Sequence, residues 1–230
     1  MIHFKCPICG EEIEAPASMQ GETLACPACR QYTLVPGPDD TVILNGDTVD
    51  SASEDTHVRL NRINRMRYEC QKALKHENKI SSLMETICRI IVDIGGYRLA
   101  WVGLAEYDEK KTVRPVAQRG FEKDYLNTVK ITWADTERGR GPTGTAIRTA
   151  KPVVNQNVLD NPDYKPWRDQ ARKRGYASSI ALPLVAEEQV LGALNIYSSR
   201  PHAFNQEEVK LLMNMATLLA QGVMTLLKSK

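Results

Sequence analysis

The sequence is poor in aromatic residues, which fill 6% of its 230 positions, and it holds four histidines in all. From Gly95 to Lys230 there is no cysteine and a single histidine, His202. That shortage removes a thiol nucleophile from the larger part of the chain and leaves Ser178 and Ser179 without a convincing base. It also leaves haem without an axial ligand other than His202. No apolar run approaches the roughly 20 residues that cross a bilayer. The opening Met1-Ile2-His3-Phe4-Lys5-Cys6 lacks an apolar stretch, so no signal peptide is expected and the chain reads as cytoplasmic, with no membrane partner. Thirty basic and twenty-eight acidic residues give +2, which excludes a globally basic nucleic-acid coat or an acidic tail protein. Against these shortages, 42% hydrophobic residues suffice for a sizeable core.

Composition divides the chain. Residues 1–35 carry two Cys-Pro-x-Cys motifs. Residues 36–57 hold Asp39, Asp40, Asp47, Asp50, Glu54 and Asp55 with no lysine or arginine. They open on Pro36-Gly37-Pro38 and read as an acidic flexible linker. Residues 58–94 contain neither glycine nor proline and read as one long helix leading into the next domain. Residues 80–228 alternate strand and helix signals.

Cys6-Pro7-Ile8-Cys9 and Cys26-Pro27-Ala28-Cys29 form a C-x2-C-x16-C-x2-C pattern. Two close pairs at that separation suit a four-thiolate metal site. Four sulfurs at about 2.3 Å complete a tetrahedral zinc shell and leave no open position, so the expected Zn2+ is single and structural. A segment this short cannot fold on its apolar core alone, and metal binding supplies the difference. Ile2-His3-Phe4, Glu11–Ile13, Thr23-Leu24 and Tyr32–Val35 read as short flanking strands. The region resembles the zinc ribbon family. Four glutamates, Glu11, Glu12, Glu14 and Glu22, outnumber Lys5 and Arg30, which opposes phosphate contact. Protein contact or a purely structural role is the expectation, and nucleic acid is not the expected partner.

In the long helix, Ile63, Cys70, Glu77, Met84 and Ile91 recur every seven residues, and Met66, Ala73, Ile80, Ile87 and Ile94 follow the same period. This is an a/d seam with only Glu77 off pattern, and it predicts a parallel homodimer through residues 58–94. Cys70 lies on the seam and is expected to be a buried thiol like Cys88, with a redox-sensing pair as the sharper alternative. Arg59, Arg62, Arg65, Arg67, Lys72, Lys75 and Lys79 are interleaved with the seam residues and read as a solvated face.

Beyond the helix, Tyr97–Tyr107 and Thr112–Ala117 read as a hairpin, Phe121–Lys130 as a short helix, and Ile131–Trp133 as extended. Thr145–Thr149 reads as a Thr-capped helix, Pro152–Asn155 as a strand, and Trp167–Arg174 as a basic helix. Ser178–Val185 and Gln189–Tyr197 form a second hairpin, and a last helix starts at Asn205. Gly139-Arg140-Gly141-Pro142-Thr143-Gly144 mimics phosphate-loop glycine spacing, but Thr145-Ala146 replaces the required Lys-Ser/Thr.

This order, with Gly144–Val153, Ser179–Leu184, Val190–Ile196 and Phe204–Glu208, resembles the GAF domain, especially the GAF modules of bacterial PAS/GAF sensor histidine kinases. The resemblance implies an α+β fold: a GAF-like antiparallel sheet of five or six strands with flanking helices, preceded here by a long coiled-coil-like helix and the small zinc ribbon. It further implies a helical bundle on one sheet face and a small-molecule pocket on the other. That pocket would be lined by Trp101, Phe121, Tyr125, Trp133, Trp167, Ser178 and Ser179. Separately, Arg138 and Arg140 flank a helix expected to start at Thr143 and offer an anion site through the helix dipole and guanidinium hydrogen bonds. The missing cysteines exclude bilin attachment and the cysteine chemistry of GAF-type methionine sulfoxide reductases. The expected function is therefore non-catalytic: a signalling or sensory regulator whose GAF domain binds an unknown small molecule, dimerises, or does both, and whose ribbon meets a protein partner such as a signalling kinase. The alternative is a zinc-ribbon nucleic-acid-binding transcriptional regulator controlled by a GAF domain.

Overall fold

Glu12-Ile13-Glu14-Ala15 alternates charge with apolar side chains, and it forms a strand in which Ile13 and Ala15 are buried while both glutamates face water. The computed structural model describes residues 1–5, 11–20, 22–28, 32–35, 51–120, 126, 131–161, 164 and 167–229. It divides into two units, Met1–Asn61 and Arg62–Lys230.

In the first unit, β1 (Ile2–Lys5) pairs antiparallel with β2 (Glu12–Ala15), and β3 (Thr23–Ala25) with β4 (Tyr32–Leu34). Three of the strands fall where the sequence places them, and β2 is shifted along the chain from the expected Glu11–Ile13. The pairs end at Lys5↔Glu12 and Ala25↔Tyr32, so each Cys-Pro-x-Cys motif occupies the stretch joining two paired strands. The core is small: Ile13 and Cys26, with Phe4 and Leu24 packed against them. Cys6, Cys9 and Cys29 lie outside the described residues, as does most of the acidic linker.

In the second unit, a five-stranded antiparallel sheet has the order β6-β5-β9-β8-β7. Its strands are β5 (Leu99–Ala105), β6 (Val113–Gly120), β7 (Val153–Asn155), β8 (Ser178–Ala186) and β9 (Gln189–Ser198). The pleat sends alternate residues to opposite faces. Ala100, Val102, Ile180, Leu182, Leu184, Leu194 and Ile196 face a helical layer, while Leu99, Trp101, Ala193 and Tyr197 face the other way. The helical layer comprises α1 (Ser51–His76, from Arg62 onward within this unit), α2 (Ile80–Arg89) and the last helix. Two short helices, α3 (Pro142–Thr149) and α4 (Arg168–Arg174), serve the second face, which Ile147 and Ala171 join. The last helix, α5 (Gln206–Lys228), is long and apolar enough to cross a membrane, but Leu211, Leu212, Met215, Ala216, Leu219, Ala220 and Val223 are buried in the core. Asn205 caps it by accepting from the Glu208 backbone N–H at 2.9 Å. A side chain at Gly222 would strike Leu74 of α1 and Leu83 of α2, so the absence of a Cβ sets how closely these helices approach.

The unbroken helix expected over residues 58–94 does not form. It breaks at Glu77–Lys79, with Lys79 extended (φ −124°, ψ 134°), and ends in a π-helical turn over Ile90–Ile94. The break falls on the one polar residue of the heptad seam. Continuing the helix would bury the Glu77 carboxylate; here it accepts instead from the Thr86 hydroxyl at 2.9 Å. Asn78 is a weak helix former that competes for backbone hydrogen bonds. The seam itself is consumed by the chain's own core: Met66, Cys70, Met84, Ile87 and Ile91 are at most 1% exposed. Three smaller expectations also change. α3 starts at Pro142, which suits a first helical turn, with Gly141 rather than a threonine as its N-cap. Ile131–Trp133 contributes only a single bridge, Thr112↔Thr132. The helix expected over Phe121–Lys130 lies outside the described residues except for Leu126, which is helical.

Ile87→Ala should cost about 2–5 kcal/mol in urea unfolding, with a midpoint independent of protein concentration. A midpoint that moved with concentration would place Ile87 between two copies instead.

Candidate functional site

The second sheet face is built from aromatic and neutral polar side chains. Trp101 on β5 and Tyr197 on β9 stand on it, joined by Tyr164 and Tyr176, and none of the four is more than 7% exposed. Tyr176 and Tyr197 lie 4.6 Å apart between ring centroids, and Tyr164 and Trp167 lie 5.7 Å apart. Burial holds the Tyr197 phenol well above its usual range; neighbouring Tyr164 adds to this and Trp101 partly offsets it. Several amides and hydroxyls on this face bond one another. Thr143 Oγ1 donates to Asn195 Oδ1 at 2.8 Å, Asn161 Nδ2 donates to Asn155 Oδ1 at 2.6 Å, and Asn155 Nδ2 reaches Ser179 Oγ at 3.5 Å.

The expected pocket residues therefore separate into groups. Trp101, Thr143, Trp167 and Ser179 converge on this face. Trp167 lies over Gly141, where an added Cβ would meet its ring at 2.8 Å. Trp133 sits at the margin: its indole N–H donates to the Glu106 carbonyl at 2.9 Å, Tyr107 meets its edge, and the Lys111 ammonium lies 4.8 Å above its ring. Ser178 does not belong here. One residue from Ser179, it takes the opposite side of the pleat, and its hydroxyl donates to the Arg200 carbonyl at 2.7 Å. Phe121 and Tyr125 lie outside the described residues.

The expected anion site is not assembled. Arg140 pairs with Asp135 at 2.9 Å, and that pairing holds the Asp135 carboxyl below its usual range. Arg138 is exposed, and Thr143 is engaged with Asn195. The glycine-rich stretch is instead pinned by Arg148, whose Nη1 donates to the carbonyls of Trp133, Ala134 and Gly139 at 3.0, 3.1 and 2.6 Å.

Two features escaped the sequence. One is a cleft of about 500 Å³ at the β6 edge, between Glu85, Thr86 and Arg89 of α2, Pro115–Arg119 of β6, and Leu126. The other is a buried charge network on the helical side. Glu208, 2% exposed, accepts from Arg62 Nη2 at 2.7 Å and from the Tyr97 hydroxyl. Arg62 Nη1 donates to the Gly95 carbonyl at 2.7 Å, and its guanidinium lies 5.7 Å over the Tyr97 ring, which stacks on Phe204. Burial first, and the Glu208 charge second, push the Tyr97 phenol well above its ordinary value. Arg62 reads in the sequence as one of many helix cations, and Glu208 as a partner for the helix dipole. Only their meeting, 146 residues apart, shows what they do. Arg62→Met should destabilise the unit by about 3–5 kcal/mol, because it strands a buried carboxylate. Adding Glu208→Gln should recover much of that loss in the same melt; an unchanged melting temperature in the single variant would remove the network from the fold's support.

No curated protein matches the chain closely enough to count as a relative. Solved structures with the same fold include the GAF domain of a phosphoenolpyruvate-protein phosphotransferase from Coxiella burnetii, at TM-score 0.62 and 15% identity over 74% of this chain and 97% of that one. The free methionine-R-sulfoxide reductase of Neisseria meningitidis, solved with its substrate, follows at 0.58 and 17% over 81% and 98%. The corresponding phosphotransferase GAF domain from Acinetobacter gives 0.56 and 13% over 74% and 96%. At these identities the likeness is one of fold. Residues 77–224 match the GAF domain family itself, and the chain belongs to it.

Proposed function

We propose that the protein is a non-catalytic cytoplasmic regulator, in which the GAF domain recognises a small molecule and a zinc-held ribbon contacts a protein partner such as a signalling kinase. GAF membership supports the sensory or regulatory role. The observation that carries the non-catalytic reading is the chemistry of the second sheet face: aromatic rings plus amides and hydroxyls that already bond one another, with no cysteine or histidine among them. Such a face recognises by shape and hydrogen bonding. The unit's two cysteines, Cys70 and Cys88, belong to the opposite, helical core. Burial, aided by Glu69 and Glu85 respectively, pushes both thiols up to about 12. Reductase chemistry of the kind named for the Neisseria protein would need an accessible thiolate.

The ribbon supports one structural Zn2+. Both Cys-Pro-x-Cys motifs join paired strands, and Cys26 is 1% exposed beside Ile13. Cys6, Cys9, Cys26 and Cys29 would hold the ion and close its shell. Self-association of the protein would use surface other than the heptad seam, which the core already occupies.

Native mass spectrometry should show one zinc per chain and any small molecule retained by the GAF domain. Cys26→Ser should lose the zinc while the second unit keeps its melting transition; stoichiometric zinc in that variant would contradict a four-thiolate shell. At pH 8, iodoacetamide should leave Cys70 and Cys88 unlabelled in the native protein and label both in urea. A thiol raised in the folded state stabilises fully below its ordinary value of 9.0, and that contribution declines as pH climbs toward 12. Thermal stability should therefore fall in that window, and rapid native labelling of either cysteine would argue for a reactive thiol.

A further inference from the structure

In the sequence, the cations of α1 are interleaved with its apolar residues; in space Arg65, Arg67, Lys72 and Lys75 turn away from the core, while Arg62 stays with it. Arg62, Met66, Cys70 and Ala73, spaced four, four and three apart, form the side turned to the core. Arg65, Tyr68, Lys72 and Lys75 follow the same kind of spacing on the outer side, and all four are exposed, Tyr68 to 64%. Asn64, Arg67 and Gln71 share that outer surface. None of Arg65, Arg67, Lys72 and Lys75 holds an ion pair among the described residues. Glu69 is the one acid between Asn64 and His76, and it is half-buried. The outcome is a strip about 15 Å long, from Arg65 to Lys75, carrying three positive charges that hold no ion pair among the described residues, with Arg67 on the far flank of the helix.

We infer that this strip binds the phosphate backbone of duplex nucleic acid. Its composition decides among anionic partners. Outside Tyr68 the strip offers no apolar anchor, whereas an amphipathic membrane helix inserts leucine or aromatic side chains below its cations. Protein interfaces are centred on buried apolar or aromatic hot spots, and Tyr68 stands alone among polar neighbours. Lysine and arginine with interspersed asparagine, glutamine and tyrosine are the side chains that contact phosphate and sugar. One aromatic ring is too few for a stacking platform along a single strand. The contact is sequence-independent, and it belongs to α1 rather than to the acidic ribbon.

The test uses the full-length zinc-loaded protein and a fluorescein-labelled DNA duplex of arbitrary sequence, read by anisotropy. With about 0.9 counterion released per phosphate neutralised by the three strip cations, affinity should fall roughly 40-fold between 50 and 200 mM salt. The triple variant Arg65→Gln/Lys72→Gln/Lys75→Gln should keep its helicity and melting temperature, because the replaced side chains are exposed and glutamine is a good helix former. It should bind the duplex at least 30-fold more weakly at 50 mM salt and lose most of the salt dependence. The control Lys151→Gln/Arg172→Gln/Lys173→Gln removes the same charge from other exposed positions and should bind like the parent. No anisotropy change at 50 mM salt, or equal loss in both triple variants, overturns the inference. So does tighter binding to a polyglutamate peptide or to phosphatidylserine vesicles than to the duplex.

Discussion

A sheet covered on both faces must sort its residues two ways, and that sorting is the constraint from which the second unit follows. Even-numbered residues of β8 turn Ile180, Leu182 and Leu184 toward the helices, while Ser179 takes the other side. The helical side is aliphatic and close-packed, with the Arg62–Glu208–Tyr97 network at one end. The opposite side is aromatic and amide-rich. A single strand thus serves two faces of different chemistry, and a one-residue slip in register would exchange them.

The same division places the cysteines of this unit out of reach of the second face. Cys70 and Cys88 are held in the aliphatic layer, where a thiolate would be poorly solvated. The fold likeness to the Neisseria protein carries no implication about reaction: the scaffold is similar in both, and chemistry depends on which side chains reach the second sheet face.

Much of this was legible in the sequence, because period-2 and period-3.6 patterns are local. Both hairpins of the sheet, the short N-terminal strands and the last helix after Asn205 appear about where spacing places them. What was not legible depends on distant contacts. The heptad seam of residues 63–94 is real as a pattern, but periodicity does not say whether its partner is a second chain or the chain's own sheet. Glu77 was the clue, since a lone carboxylate on an apolar seam marks where a helix gives way. Of the expected pocket residues, Trp101 and Trp167 stand on the second face, whereas Ser178 takes the opposite side of the pleat from Ser179, which residue type alone does not reveal. Arg138 and Arg140 lie near a helix start, but Asp135, five residues from Arg140, has the stronger claim on it.

The elbow at Glu77–Lys79 has a consequence for how this architecture can vary. In a continuous helix each added residue rotates everything beyond it by about 100°, so an insertion would swing the apolar stripe of α2 away from the sheet. An extended residue such as Lys79 breaks that rotational bookkeeping. Changes in length at the elbow are absorbed there, leaving the phase of α1 and α2 independent. Homologous chains should tolerate gaps at this joint and reject them a single turn to either side.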